Sequence, residues 1–144
     1  MKLSFVNNLI IATSLLLLST GCRKGDDPAP APVTPTALSL LNARLDNVAA
    51  SVTTNNYNVK PTVAVRLSFN NAVNKSTVAA AFSLKENSTT AIPVNYAYAN
   101  NDSTIIVTGA AALKYITNYA LSAATTLKSI NDGSLNIPLN LRFT

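Results

Sequence analysis

The side chains that could do chemistry in this chain are few and widely spaced. Histidine is absent, which removes the commonest general base and a common zinc ligand. Four carboxylates, Asp46, Glu86, Asp102 and Asp132, follow the amino-terminal region, each isolated in the sequence and mostly in a predicted turn. Glycoside hydrolysis, for comparison, needs two carboxylates that face each other across one bond. The spacing therefore predicts a chain that is not an enzyme.

Two segments rich in Asn and Asp, residues 100–102 and 131–132, offer the oxygen atoms that calcium prefers. A calcium site usually takes more carboxylates at closer spacing. Asn and Asp also close turns with their own side chains and tolerate the left-handed backbone. We therefore interpret both segments as turns, and we predict no bound metal and no cofactor.

The remaining reactive group is the single cysteine, Cys22. It follows a positive start at Lys2, an apolar run over residues 9–18 and three small residues at 19–21. This is the arrangement of a secretory signal peptide. The apolar run is about half as long as the roughly twenty residues with which a helix crosses a bilayer. The pattern predicts a cleaved leader, residues 1–21, rather than a retained membrane span.

The position of Cys22 directly after Gly21 resembles the lipobox of bacterial lipoproteins. The resemblance implies signal peptidase cleavage between Gly21 and Cys22, acylation of the Cys22 thiol by a fatty acid such as palmitate, and acylation of the new amino terminus. Ser19 stands where the commonest lipobox has Leu. Two or three acyl chains bind a membrane far more firmly than one, so the implied partner is a membrane. The alternative is an ordinary secreted protein with a free thiol.

A charged cluster, Arg-Lys-Gly-Asp-Asp at residues 23–27, follows the cysteine directly. It resembles the export signal of surface lipoproteins in the Bacteroidota, in which Lys or Ser precedes acidic residues, although Gly25 interrupts the pattern here. The resemblance implies a lipid anchor in the bacterial outer membrane and exposure at the cell surface. A solvated charge cluster on a periplasm-facing protein is the alternative.

Residues 22–36 are predicted to form a disordered, proline-rich tether that begins at the lipidated cysteine. Four of the seven prolines lie in this stretch: Pro28, Pro30, Pro32 and Pro35. Proline fixes φ and lacks a backbone donor, which favours an extended polyproline-like segment. At about 3.1 Å per residue, a dozen such residues span roughly 35 Å.

The formal net charge of +5 is spread thinly along the chain. A nucleic-acid surface takes several basic side chains on one face, with stacking aromatics or base-reading groups. No such cluster occurs in the sequence, so we predict no nucleic-acid partner.

Residues 37–144 alternate apolar and polar side chains with period two, which is typical of half-buried strands. The clearest run is Val63, Val65, Leu67 and Phe69. Similar runs cover residues 38–45, 82–84, 94–98, 105–107, 119–123 and 139–143, and Asn-rich turns separate most of them. Short strands joined by such turns predict an all-β fold, a single Ig-like antiparallel β-sandwich of about seven strands. One helical turn is predicted at residues 76–81, capped by Ser76.

Residues 63–78 resemble the opening of bacterial Ig-like domains of the SbsA type. In those domains a strand ending in Phe, here Phe69, precedes a small polar pair, a Val and a short turn. Residues 103–121 resemble the later half of the same family, with its Tyr-x-Leu strand, and residues 128–144 resemble its closing loop and strand. The resemblance covers residues 38–144. Because its motifs are core and turn residues, it implies a fold rather than a particular function.

The tyrosines are the side chains that could stack on a sugar ring, since the chain has no Trp. Tyr96 and Tyr98 share one face of a predicted strand, which favours core packing. Tyr119 stands where Ig-like sandwiches often place a corner tyrosine. Tyr57 and Tyr115 lie in less regular stretches, and we expect them to be exposed. The ligand-binding residues stay unassigned at this level.

Together these patterns predict a membrane-anchored, surface-exposed lipoprotein whose Ig-like domain is a non-catalytic spacer or interaction module. The rival hypothesis is a glycan- or protein-binding adhesin, which includes a pilus-like component assembled by strand addition. Members of the family usually continue by a residue or more beyond the position of Thr144. The resemblance therefore also implies that the chain is a fragment of a larger protein.

Overall fold

A computed structural model describes residues 34–144. The predicted signal peptide at residues 1–21, the predicted cleavage and lipidation residues Gly21 and Cys22, and most of the predicted tether lie outside the described residues. Among residues 34–144, no helix is both long enough and apolar enough to cross a membrane.

Ten strands and one short helix make up the regular structure of the described residues. In chain order they are β1 (Leu40–Leu45), β2 (Val48–Ala49), β3 (Asn55–Asn56), β4 (Ala64–Phe69), α1 (Lys75–Ala81), β5 (Phe82–Glu86), β6 (Thr90–Ile92), β7 (Val94–Ala99), β8 (Thr104–Gly109), β9 (Tyr119–Ala123) and β10 (Leu139–Phe143).

The strands form two five-stranded sheets, ordered β2-β1-β4-β8-β7 and β3-β10-β9-β5-β6. The predicted all-β sandwich is confirmed. Two details differ from the prediction. The pairing of β3 with β10 is parallel, so the second sheet is mixed rather than purely antiparallel. Three strands of two or three residues, β2, β3 and β6, add to the seven predicted runs, because so short a strand shows no alternation in the sequence.

The core lies between the two sheets and follows the predicted alternation. In β4, Val65, Leu67 and Phe69 are buried while the residues between them are half-buried. In β10, Leu139 and Leu141 are buried while Asn140 is exposed. Since the chain has one cysteine, no disulfide joins the sheets within it, and burial of these apolar faces is the main stabilising contribution, at about 25 cal/mol per Å².

The helix α1 begins one residue earlier than predicted and has a different cap. The Asn74 side-chain oxygen accepts hydrogen bonds from the Ser76 backbone N–H at 3.1 Å and from the Ser76 hydroxyl at 2.7 Å. The predicted cap at Ser76 is therefore wrong. Both residue types cap helices well, and here Asn74 lies at the position from which a side-chain oxygen reaches the first free N–H groups.

The two ends of the described chain reach opposite ends of the sandwich. Leu38 donates its backbone N–H to the Ser134 carbonyl oxygen at 2.9 Å, ahead of β10, while Thr144 donates to the Asn56 carbonyl oxygen at 2.8 Å, beyond β10. The five residues of β10, at about 3.3 Å each, separate these two points. We call them the Leu38 end and the Thr144 end of the sandwich.

Candidate interaction surface

Each of the four carboxylates that the sequence singles out has its own partner. Those partners are the Ala64 backbone N–H for Asp46, Lys114 for Glu86, Lys75 for Asp102 and Lys128 for Asp132. Within residues 34–144, no three His, Cys, Asp or Glu side chains gather as a metal site would require. Each of the four carboxylates is therefore engaged by a different group of the protein.

The Asn100-Asn101-Asp102 segment is a turn, as predicted. All three residues have positive φ, at 52°, 52° and 63°, a region that Asn and Asp enter more readily than other non-glycine residues. The Asn100 amide nitrogen donates to the Thr104 hydroxyl at 3.0 Å, and the Asp102 carboxylate lies 2.8 Å from the Lys75 ammonium. The Asn100 and Asp102 side chains are therefore engaged by other groups of the protein.

Tyr119 has the corner position that the sequence predicts. Its side chain is buried, and its hydroxyl oxygen accepts a hydrogen bond from the Lys114 backbone N–H at 2.9 Å. Its ring stacks on Phe143 with 5.7 Å between the ring centroids. These contacts tie the segment that follows β8 to the start of β9.

Replacing Tyr119 by Phe is expected to lower the free energy of unfolding by about 1 kcal/mol, because the hydrogen bond is lost while the ring remains. Urea denaturation of both proteins measures the difference. Tyr115→Phe is the matched control. Since Tyr115 is 77% exposed, its variant should stay within about 0.5 kcal/mol of the parent. Equal effects of the two changes would contradict the corner role.

Three of the exposed large side chains lie near the Thr144 end: Tyr57 at 72%, Tyr115 at 77% and Ile116 at 96%. The predicted exposure of both tyrosines is confirmed. Ile116 has a φ of 51°, which is strained for a β-branched residue. We call Tyr57, Tyr115 and Ile116 the distal cluster. The turn therefore holds the apolar Ile116 side chain in solvent, where the side chain gains no free energy from burial.

Tyr57 stands between two shallow depressions. One, of about 470 Å³, is lined by residues that include Asn55, Asn87, Asn118 and Arg142. The other, of about 500 Å³, lies on the β2 side and includes Asn58 and Lys60 in its lining. An exposed aromatic ring beside several amide groups has the chemistry of a surface that contacts a polar, ring-containing ligand.

The strand β7 forms a second exposed surface, which the sequence did not predict. It is an edge strand of six residues, whereas the edge strands β2, β3 and β6 have two, two and three. Tyr96 and Tyr98 are half-buried, and the Tyr96 ring lies 6.0 Å from that of Phe82 in the other sheet. The prediction that both tyrosines pack on the core is confirmed, but they do so from the edge strand of the sheet, which we call the rim of the sandwich.

Both rim tyrosines stay neutral at physiological pH. Burial raises the pKa of Tyr96 above the ordinary value of 10.0, and the nearby Tyr98 raises it further. Burial also raises the pKa of Tyr98, with Lys75 lowering it and Asp102 raising it by smaller amounts. The six residues of β7 therefore carry no charge at neutral pH.

Solved structures of surface-layer proteins share this fold. The crystal structure of the S-layer protein rSbsC(31-844) is 15% identical with a TM-score of 0.51, and it matches 76% of this chain and 14% of that chain. A structure of surface layer protein SbsC, domains 1-6, is 16% identical with the same TM-score and coverage. At these identities the likeness concerns the fold, and the chain spans about a seventh of each protein.

No curated protein sequence matches the chain. The family model of the bacterial Ig-like domain, in contrast, matches residues 42–144, more than half of the chain and every strand from β2 to β10. The chain therefore belongs to the bacterial Ig-like domain family.

Proposed function

We propose that the protein is a lipoprotein, anchored in the bacterial outer membrane through acylated Cys22, whose Ig-like domain is a non-catalytic spacer or interaction module at the cell surface. The observation that carries the interaction role is the distal cluster. Tyr57, Tyr115 and Ile116 are exposed near the Thr144 end, opposite the Leu38 end of the sandwich. The fold shared with surface-layer proteins supports a location at the cell surface.

The engagement of the carboxylates supports a non-catalytic role. Glu86 and Asp102 each lie 2.8 Å from a lysine ammonium, and Asp46 accepts a backbone hydrogen bond. General acid and base groups need to reach the proton they transfer, whereas these groups are committed to structural contacts.

Metabolic labelling with an alkyne fatty acid tests the anchor. The parent protein should incorporate the label, and Cys22→Ala should lose essentially all of it, because the acceptor thiol is gone. Ser19→Leu, which restores the commonest lipobox residue, is the matched control and should label at least as well as the parent. Unchanged labelling of Cys22→Ala would overturn the anchor. Protease treatment of intact cells, which should digest a protein on the outer face, separates surface from periplasm.

A second candidate function is that of a glycan- or protein-binding adhesin, and the placement of Tyr57 between two amide-lined depressions favours it. Binding of the full chain carrying Cys22→Ser to a glycan array tests this candidate. Tyr57→Ala should weaken binding at least tenfold. Leu41→Ala is the control, because Leu41 is 66% exposed on β1. Binding that Tyr57→Ala leaves unchanged would contradict the adhesin.

A further inference from the structure

The strand β7 has a regular set of backbone groups that point away from its own sheet. In an antiparallel pair, successive residues direct their N–H and C=O groups alternately to either side. The Pro93 carbonyl oxygen accepts the Ala110 N–H at 2.9 Å. Pro93, Asn95 and Ala97 therefore direct their backbone hydrogen-bonding groups towards β8. Val94, Tyr96 and Tyr98 therefore direct their donors and acceptors to the open edge.

This edge lacks the features that keep other edges from pairing. Natural edge strands are short, bulged, charged or interrupted by proline. The edge strands β2, β3 and β6 are short, and β1 has an irregular register beside Leu41. In contrast, β7 pairs with β8 over all six residues without a shift in register. A regular edge of this kind is suited to pairing with another strand.

The nearest charge does not block the edge. The Lys75 ammonium lies 5.0 Å from the centre of the Tyr98 ring, and it is held by the Asp102 carboxylate at 2.8 Å. The lysine is therefore neutralised locally and rests against a ring face that attracts cations.

We propose that β7 of one copy pairs antiparallel with β7 of a second copy, about a two-fold axis at Tyr96, and joins two five-stranded sheets into one continuous sheet. The proposal goes beyond the interaction role proposed above, because it uses the β7 edge rather than the distal cluster, and it is independent of the lipid anchor. A closed two-fold contact uses the same patch on both subunits. Here only antiparallel pairing of the two β7 strands allows a two-fold contact. In parallel pairing the bonded residues are offset by one position, so the two copies would not use the same residues.

The register follows from the outward-facing residues. With the axis at Tyr96, Val94 lies opposite the second copy's Tyr98, and all three outward residues bond, which gives about six backbone hydrogen bonds. A shift of the axis by one residue leaves one of the three without an outward-facing partner. The Tyr96-centred register is therefore the one that uses the whole edge.

The side chains of β7 also complement themselves in this register. On the half-buried face, Val94 meets Tyr98, an aromatic and β-branched pair of the kind that stabilises sheets. On the exposed face, Asn95 meets Ala97, which are both small and uncharged. A second copy thus supplies the complement to each position, which favours this chain itself over an unrelated strand.

Disulfide trapping tests the pairing and its register in full chains that carry Cys22→Ser. Asn95 should lie opposite Ala97 with about 4.5 Å between their Cα atoms, within disulfide range. A mixture of Asn95→Cys and Ala97→Cys proteins should form at least tenfold more disulfide-linked dimer than either protein alone. An Asn140→Cys protein, altered on β10, is the background control. A mixture no better than this control, or stronger linkage in either protein alone, would overturn the proposal.

Charge exchange at the same two exposed positions gives a second readout, by sedimentation of the Cys22→Ser chain over a range of concentrations. The double variant Asn95→Lys/Ala97→Lys should raise the dimer dissociation constant at least tenfold, because two lysines then oppose each other twice. The matched variant Asn95→Lys/Ala97→Glu should dimerise as tightly as the parent or more tightly. Equal dissociation constants for all three proteins, or a monomeric parent at every concentration, would overturn the pairing without bearing on the lipid anchor.

Discussion

Replacing Phe143 by Ala is expected to lower the free energy of unfolding by about 3–5 kcal/mol, which is the usual cost of truncating a buried Phe. Phe143 is 1% exposed and lies opposite Tyr119 in the pairing of β9 with β10. The change therefore removes apolar contacts in the core and the stacking partner of the corner tyrosine together. Urea denaturation followed by circular dichroism measures the loss.

Two further variants separate the loss of volume from the loss of the ring. Phe143→Leu keeps most of the volume and should cost less than about 1.5 kcal/mol. Leu41→Ala also truncates an apolar side chain to its Cβ atom, but this side chain is 66% exposed, and the variant should stay within about 0.5 kcal/mol of the parent. A loss for Phe143→Ala as small as that for Leu41→Ala would contradict the position of Phe143 in the core.

Replacing Gly133 by Ala is expected to destabilise the Leu38 end by about 1–3 kcal/mol through overpacking. A Cβ atom at Gly133 would overlap the Thr36 carbonyl group, and backbone cannot swing aside as the tip of a side chain can. The Thr36 carbonyl oxygen also accepts a hydrogen bond from the Ser129 hydroxyl at 3.2 Å. We expect the segment before β1 to be displaced.

Hydrogen exchange at the Leu38 amide measures this displacement, because that N–H donates to the Ser134 carbonyl oxygen at 2.9 Å. Its protection should fall in Gly133→Ala more than protection in β9 does. Gly109→Ala is the control. There the added Cβ would lie 2.7 Å from the Ala111 carbonyl oxygen, a milder overlap that does not involve the segment before β1. Unchanged protection of Leu38 in Gly133→Ala would show that the backbone contact is not tight.

The sequence is informative wherever a strand has one buried and one solvated face. The alternation around Val65 and Leu67 is strong enough to locate β4, and the same reasoning locates β10. It fails for β2 and β3, which have two residues each, because two residues carry no period. The parallel contact of Asn55 with Arg142 joins distant segments, and no local pattern indicates it.

The interaction surfaces are harder to predict than the core. The exposure of Tyr57 and Tyr115 follows from their irregular surroundings, since no alternating run draws them inward. The edge position of β7 depends on the order of strands in the sheet, and that order is set by packing between the sheets. The cap at Asn74 shows a local limit of the same kind, because both Asn74 and Ser76 satisfy the preference for a capping residue.

The closure of the Leu38 end has a kinetic consequence. The Thr36 carbonyl and the Ser129 hydroxyl that contact each other are 93 residues apart in the chain, and Asn55 and Thr144 are 89 residues apart. In a domain built on such remote contacts, the chain loses the entropy of closing long loops before the contacts stabilise it, so the domain folds slowly for its size. A polypeptide that emerges amino terminus first cannot complete these contacts until Ser129 and Thr144 have been synthesised. The strands made first must therefore stay soluble until residues 129 and 144 are available. The polar Thr and Asn residues at 53–56 favour that solubility.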